Sequence, residues 1–123
     1  MLNVNARNLG TVTVLCVQGQ VVNGETETLR NAVDSLPVTS TVILDLARVT
    51  TVDAHGLGVL LELRERINAN GARFQLMNVS EPMRRVLEIT RLDTVFHIRP
   101  AVELFPRVSR ENREIPSALR SCA

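Results

Sequence analysis

Residues 41–67 read TVILDLARVTTVDAHGLGVLLELRERI, an apolar run that passes through a short loop into a helical pattern with two glycines at its start. Val42, Ile43, Leu44 and Leu46 are almost continuously apolar, with two β-branched members, as in a central strand covered on both sides. Leu60, Leu63 and Ile67 then recur on one helical stripe, joined by Leu57, Val59 and Leu61, until Asn70 and Gly71 end the pattern. Helices must pack on both faces of such a strand, or one face must meet a partner. The loop between strand and helix spans 47–53.

The flanking segments repeat the alternation. Residues 1–8 and 11–19 predict two strands joined through Asn8, Leu9 and Gly10, a connection suited to a tight hairpin. Val12, Val14 and Cys16 face one way and Leu15 and Val17 the other, so the second strand is interior to the sheet. From Glu25 a helix carries Leu29, Ala32, Val33 and Leu36, with Glu25 and Glu27 where the helix dipole favours acids, and Pro37 ends it. Phe74, Leu76 and Met77 make a short strand. Ser80 is placed to cap a helix with Pro82 in its first turn and Met83, Val86 and Leu87 on its inner face. Residues 95–98 give a last strand and 100–105 one or two helical turns before Pro106. The expected fold is α/β: one domain with a mixed, mostly parallel sheet of four or five strands, an N-terminal antiparallel hairpin and three to four helices. Residues 1–106 form that domain and 107–123 a polar tail, mobile or a short docking helix.

Composition removes several functions. With a net charge of +1 and 2% aromatic residues, the chain lacks the basic excess and stacking surface of a nucleic-acid binder. No apolar run approaches the ~20 residues of a membrane span, and MLNVNARNLG has no basic-then-apolar signal pattern, so a cytoplasmic protein without direct membrane insertion is expected. Two cysteines, Cys16 in a strand and Cys122 near the end, make neither a disulfide framework nor a zinc site, and read as a small buried hydrophobe and an incidental tail thiol. No metal and no cofactor are expected.

The chemistry concentrates at the loop. Backbone N–H groups at a helix start are unpaired and partly positive, and Gly56 and Gly58 leave them sterically open to a phosphate, a carboxylate or a partner's backbone. The same glycines also suit a helix that must approach the sheet closely. Asp53 is placed to cap the helix. His55 has no companion ligand nearby and reads as structural or surface polar, while His97 sits in an apolar strand. The strand and helix order also suits a receiver-like phosphoryl acceptor at Asp53, but that chemistry needs a lysine and the chain has none. No nucleophile, base and orienting group assemble from Ser, Cys, His and Asp, so no enzyme is expected.

The whole pattern resembles the sulfate transporter and anti-sigma factor antagonist (STAS) family, across about residues 1–105. Gly19 ends the second strand, DAHGLG follows the third, and SEPMRRVLEITRLDTVF resembles the family's later helix and its Leu-Asp turn into the last strand. In that family the loop reads Asp-Ser-Ser-Gly-Leu-Gly or Asp-Ser-Thr-Gly-Leu-Gly, and partner kinases phosphorylate the first serine. Residue by residue, Asp53 matches the loop aspartate, Ala54 the phosphorylatable serine, His55 the next hydroxyl residue, and Gly56, Leu57 and Gly58 the helix start. Val22 stands where many phosphorylated members carry aspartate.

The resemblance implies a non-catalytic interaction module of the anti-sigma factor antagonist kind. Its partner is an anti-sigma factor or kinase-like ATPase, met through Asn23, Thr50, Thr51, Asp53, His55, Gly56, Gly58 and Met83. The phospho-acceptor is lost at Ala54, with Thr50, Thr51 and Ser80 left as nearby hydroxyls. The alternative is an accessory or scaffold subunit of a lipid-transport ATPase or a larger signalling assembly. Either leaves room for a homodimer.

Overall fold

The computed structural model describes residues 2–36 and 39–99. Strands β1 (Leu2–Leu9) and β2 (Val12–Val21) form a hairpin. Its turn runs through Gly10, whose φ of 84° favours glycine. Helix α1 (Thr26–Asp34), strand β3 (Thr41–Val52), helix α2 (Ala54–Ala69), strand β4 (Arg73–Met77), helix α3 (Glu81–Ile89) and strand β5 (His97–Arg99) follow. The strands lie in sequence order, β1 antiparallel to β2 and all later pairs parallel. Parallel neighbours cannot be joined by a hairpin, and each of the three parallel connections carries a helix. The expected α/β class, mixed sheet and N-terminal hairpin are therefore present, with five strands and three α-helices among the described residues. The helical turns expected over 100–105 and the tail over 107–123 lie outside the described residues.

Three boundaries differ from the sequence reading, and the first is that β2 runs on past Gly19 to Val21. Most of the expected loop at 47–53 is strand, because β3 stays paired with β2 across two register shifts, with Gln18 opposite Arg48, Gly19 opposite Val49 and Val21 opposite Val52. The alternation of apolar residues breaks at those shifts, which hides the extension. The last strand begins at His97 rather than Val95, because the amides of Val95 and Phe96 both donate to the Leu92 carbonyl and close a 3-10 turn over Leu92–Thr94.

The main core lies on one face of the sheet. Leu15, Leu44, Leu46 and Leu76 from the strands meet Leu29 of α1, Leu60 and Leu63 of α2 and Leu87 of α3, all fully buried. On the other face Val14, Cys16, Ile43 and Met77 make a smaller cluster. Cys16 is 5% exposed in that cluster, in keeping with its reading as a small buried hydrophobe; Cys122 lies outside the described residues. Across α1 and α2, Arg30 reaches Glu27 at 2.6 Å and Glu62 at 3.1 Å. Arg66 pairs with Asp34 and lies 3.7 Å from Glu62. Such exposed pairs orient helices more than they stabilise them. Among the described residues no helix is long and apolar enough to cross a membrane.

Leu44 is 0% exposed at the centre of the sheet, so Leu44→Ala leaves a cavity and is expected to cost about 2–5 kcal/mol in urea unfolding. A loss below about 1 kcal/mol would contradict this packing.

Candidate functional site

The carboxyl ends of β2 and β3 and the starts of α1, α2 and α3 meet at one end of the sheet. Asp53 organises that end. Its extended backbone stops β3 and its Oδ1 accepts from the Gly56 amide at 2.7 Å, capping α2. Its Oδ2 accepts from the Asn23 amide at 3.0 Å. One carboxylate thus ties the β2–α1 loop to the start of α2. The Asn23 amide, and after it the Gly56 amide, hold the Asp53 carboxyl below the 3.8 of an ordinary aspartate.

The two glycines have different jobs. Gly56 is buried, and a Cβ built there would overlap the Val21 carbonyl oxygen and lie 2.8 Å from the Val21 carbonyl carbon. Its role is close approach of helix to sheet. A Cβ on Gly58 would meet nothing within 4 Å, and that residue is exposed. Gly58, not Gly56, is the open position.

The other expected site residues divide the same way. Asn23, Thr50, Thr51, Ala54 and His55 are exposed at this end. Met83 is not: at 3% exposure it belongs to the core. Its long apolar side chain fills the space under α3 and reaches only the floor of a groove of about 150 Å³, whose walls include Thr50, Thr51, Ser80 and Pro82. The Thr50 hydroxyl donates to the Gly19 carbonyl at 3.2 Å. Ser80 stands at the start of α3, but its side chain makes no capping hydrogen bond. His55 Nε2 lies 3.2 Å from the hydroxyl of Thr26, which is 3% exposed. His97 is exposed on the edge strand β5.

Thr26, the Asn23 amide and the Val21 carbonyl were not legible as partners of the loop. They lie about thirty residues upstream, and only the parallel pairing of β2 with β3 brings them there. A hollow of about 380 Å³ lies elsewhere, between the last turns of α1 and α2 beside Asp34 and Arg66. It is some 20 Å from the start of α2, given the rise of a helix. Among the described residues no three His, Cys, Asp or Glu side chains are grouped to hold a metal.

Gly56→Ala is expected to destabilise the fold by roughly 3 kcal/mol or more, because its neighbour is backbone that cannot turn aside. Gly58→Ala should be neutral or stabilising by up to about 1 kcal/mol. Thermal or urea unfolding of both variants checks the contrast, and equal effects would refute it. For Asp53, a depressed folded pKa means its contribution is complete well above 3.8 and is lost as pH falls through the lower folded value. Protection of the Asn23 and Gly56 amides, measured against their intrinsic exchange at each pH, should therefore fall only below pH 3.8, and loss of protection nearer neutrality would show that the carboxylate does not hold them.

Comparison with known proteins gives this end of the sheet its context. The STAS domain family matches over residues 3–105. A STAS-domain containing protein of Pseudomonas aeruginosa is 29% identical over 90 residues, 72% of this chain and 89% of that protein. The anti-sigma-B factor antagonist of Staphylococcus epidermidis is 30% identical over 66 residues, 54% of this chain and 61% of that one. The crystal structure of an anti-sigma factor antagonist from Mycobacterium paratuberculosis superposes with a TM-score of 0.72 at 21% identity, covering 90% of this chain and 96% of its own. With the family's span running from β1 through β5, the chain belongs to the STAS domain family.

Proposed function

We propose that this STAS domain is a non-catalytic docking module of the anti-sigma factor antagonist kind. It binds a regulatory protein of the anti-sigma or kinase-like ATPase class through the exposed start of α2 and the two loops beside it. The observation that carries the reading is the placement of Ala54. It is exposed at the first position of α2, directly after the capping Asp53, where the family's phosphorylatable serine would stand. A methyl group accepts no phosphoryl group, so the covalent off-signal of serine-bearing relatives is missing and the binding-competent form persists.

The contact surface follows from exposure. Asn23, Thr50, Thr51, His55 and Gly58 present it, while Asp53 and Gly56 hold it in shape and Met83 supports it from the core. A partner docking here meets a surface whose two loops are already tied together, so little ordering entropy is lost on binding.

The test uses a kinase-like ATPase partner of an anti-sigma system, ATP, the wild-type chain and two variants. The wild type should bind and take no phosphate, Ala54→Ser should accept about one phosphate per chain and then release the partner, and Gly58→Glu should fold normally and fail to bind. Stoichiometric phosphate on the wild-type chain would end the idea of a permanently unphosphorylated form. Copurification with a transporter ATPase, with binding unaffected by Gly58→Glu, would favour the scaffold-subunit alternative instead.

A further inference from the structure

Among the described residues the sheet has two edge strands, and they are built differently. β5 has three residues and carries His97 and Arg99. β1 has eight, LNVNARNL, in an uninterrupted ladder with β2 from Leu2 opposite Gly19 to Leu9 opposite Val12. Exposed edges resist pairing with another chain when they are short, charged, bulged or broken by proline. β1 is long and unbulged, has no lysine, proline or acid, and carries Arg7 as its one charge. Among the described residues no further backbone group donates to or accepts from its outer side.

The hairpin turn fixes which backbone groups face outward. Only Gly10 and Thr11 separate Leu9 from Val12, so that pair exchanges both of its hydrogen bonds and the ladder alternates from there. Leu9, Arg7, Asn5 and Asn3 turn their N–H and C=O groups to β2, and Asn8, Ala6, Val4 and Leu2 turn theirs to the open side. The Ala6 carbonyl accordingly accepts from the Arg7 guanidinium of its own strand, at 3.4 Å, and not from β2. The side chains of these four outward residues divide along the strand. Leu2 and Val4 pack on the main core, whereas Ala6 and Asn8, on the same face, are exposed. The helical layer therefore covers the first half of the edge and stops short of the second.

We propose that the outer edge of β1 binds a second copy of this chain, the two β1 strands pairing antiparallel about a twofold axis at Asn5 and joining two five-stranded sheets into one. Antiparallel pairing lays the covered half of one edge beside the bare half of the other, so the two helical layers do not collide. A centre at Asn5 matches every outward residue. Leu2 of one copy meets Asn8 of the other and Val4 meets Ala6, in both directions, for about eight backbone hydrogen bonds across the axis. Charge also suits this register. Arg7 faces Asn3 of the other copy, not its own counterpart, and the two Asn5 side chains meet as a neutral polar pair. This interface is separate from the docking surface proposed above, since it uses the outer edge of β1 and not the start of α2.

Sedimentation of the full chain tests the pairing. An edge of this length buries less than a permanent interface, so a dimer at about 200 µM that dissociates by about 1 µM is expected. Ala6→Pro removes an outward amide and no bond to β2; it should melt within about 5 °C of the wild type and remain monomeric at about 200 µM. Asn5→Lys, an exposed change that sets like charges face to face, should weaken the dimer at least about tenfold. Register is read by cross-linking. The two Asn5 Cα atoms would lie about 4.5 Å apart, within disulfide reach, and the two Asn3 Cα atoms about 14 Å apart. On mild oxidation Asn5→Cys should therefore give a tryptic peptide of residues 1–7 linked to itself, at least about tenfold faster than Asn3→Cys does. A monomer at about 1 mM would overturn the proposal, as would a dimer that survives Ala6→Pro or equal cross-linking at positions 3 and 5.

Discussion

Helix α2 meets the sheet where Gly56 faces the Val21 carbonyl, and no side chain fits between them. That contact fixes how deep the helix start sits beside β2 and β3. With the helix set there, the Asp53 carboxylate can accept from Gly56 on its own helix and from Asn23 on the loop after β2 at once. Buried Leu57, Leu60 and Leu63 then follow on the inner stripe. The outer residues Ala54, His55 and Gly58 are left exposed. The surface is thus a by-product of a backbone contact and a cap, and both come from the short DAHG sequence.

Sequence patterns made most of the frame legible, for a physical reason that also explains the misses. Apolar periodicity reports burial, so the continuous run at Val42, Ile43, Leu44 and Leu46 and the stripe at Leu60, Leu63 and Ile67 revealed β3 and α2 directly. Periodicity fails where a register shift interrupts the pleat, and there the strand continued unseen to Val52. It also does not separate a residue that holds a surface from one that forms it. Gly56 carries a motif signal as strong as that of Gly58, yet it is buried, whereas the burial of Met83 agrees with its place on the inner face of α3 and conflicts only with its expected role as a contact. Depth at a helix start depends on the element behind it, and Val21 is too far upstream for any local pattern to link with Gly56.

Asp53 shows how a hydrogen-bond donor set can be committed before any ligand arrives. A helix start offers several unpaired amides, and a carboxylate on one of them lowers the attraction for a further anion nearby. Here the Gly56 amide belongs to Asp53, so the terminus is capped rather than bare. That favours a neutral polar or apolar contact from a partner over capture of a free anion.

The same geometry gives the alanine its physical meaning. A phosphoserine at position 54 would place a charge of about −2 next to the Asp53 carboxylate. Both groups would compete for the amides of one helix turn, and repulsion would act on the carboxylate that also holds Asn23. The phosphate would then disturb the β2–α1 loop as well as the helix start, through a single shared side chain. Alanine removes the competitor and leaves both Asp53 hydrogen bonds undisturbed. This end of the sheet is therefore held in one shape by a cap that no charge at position 54 opposes.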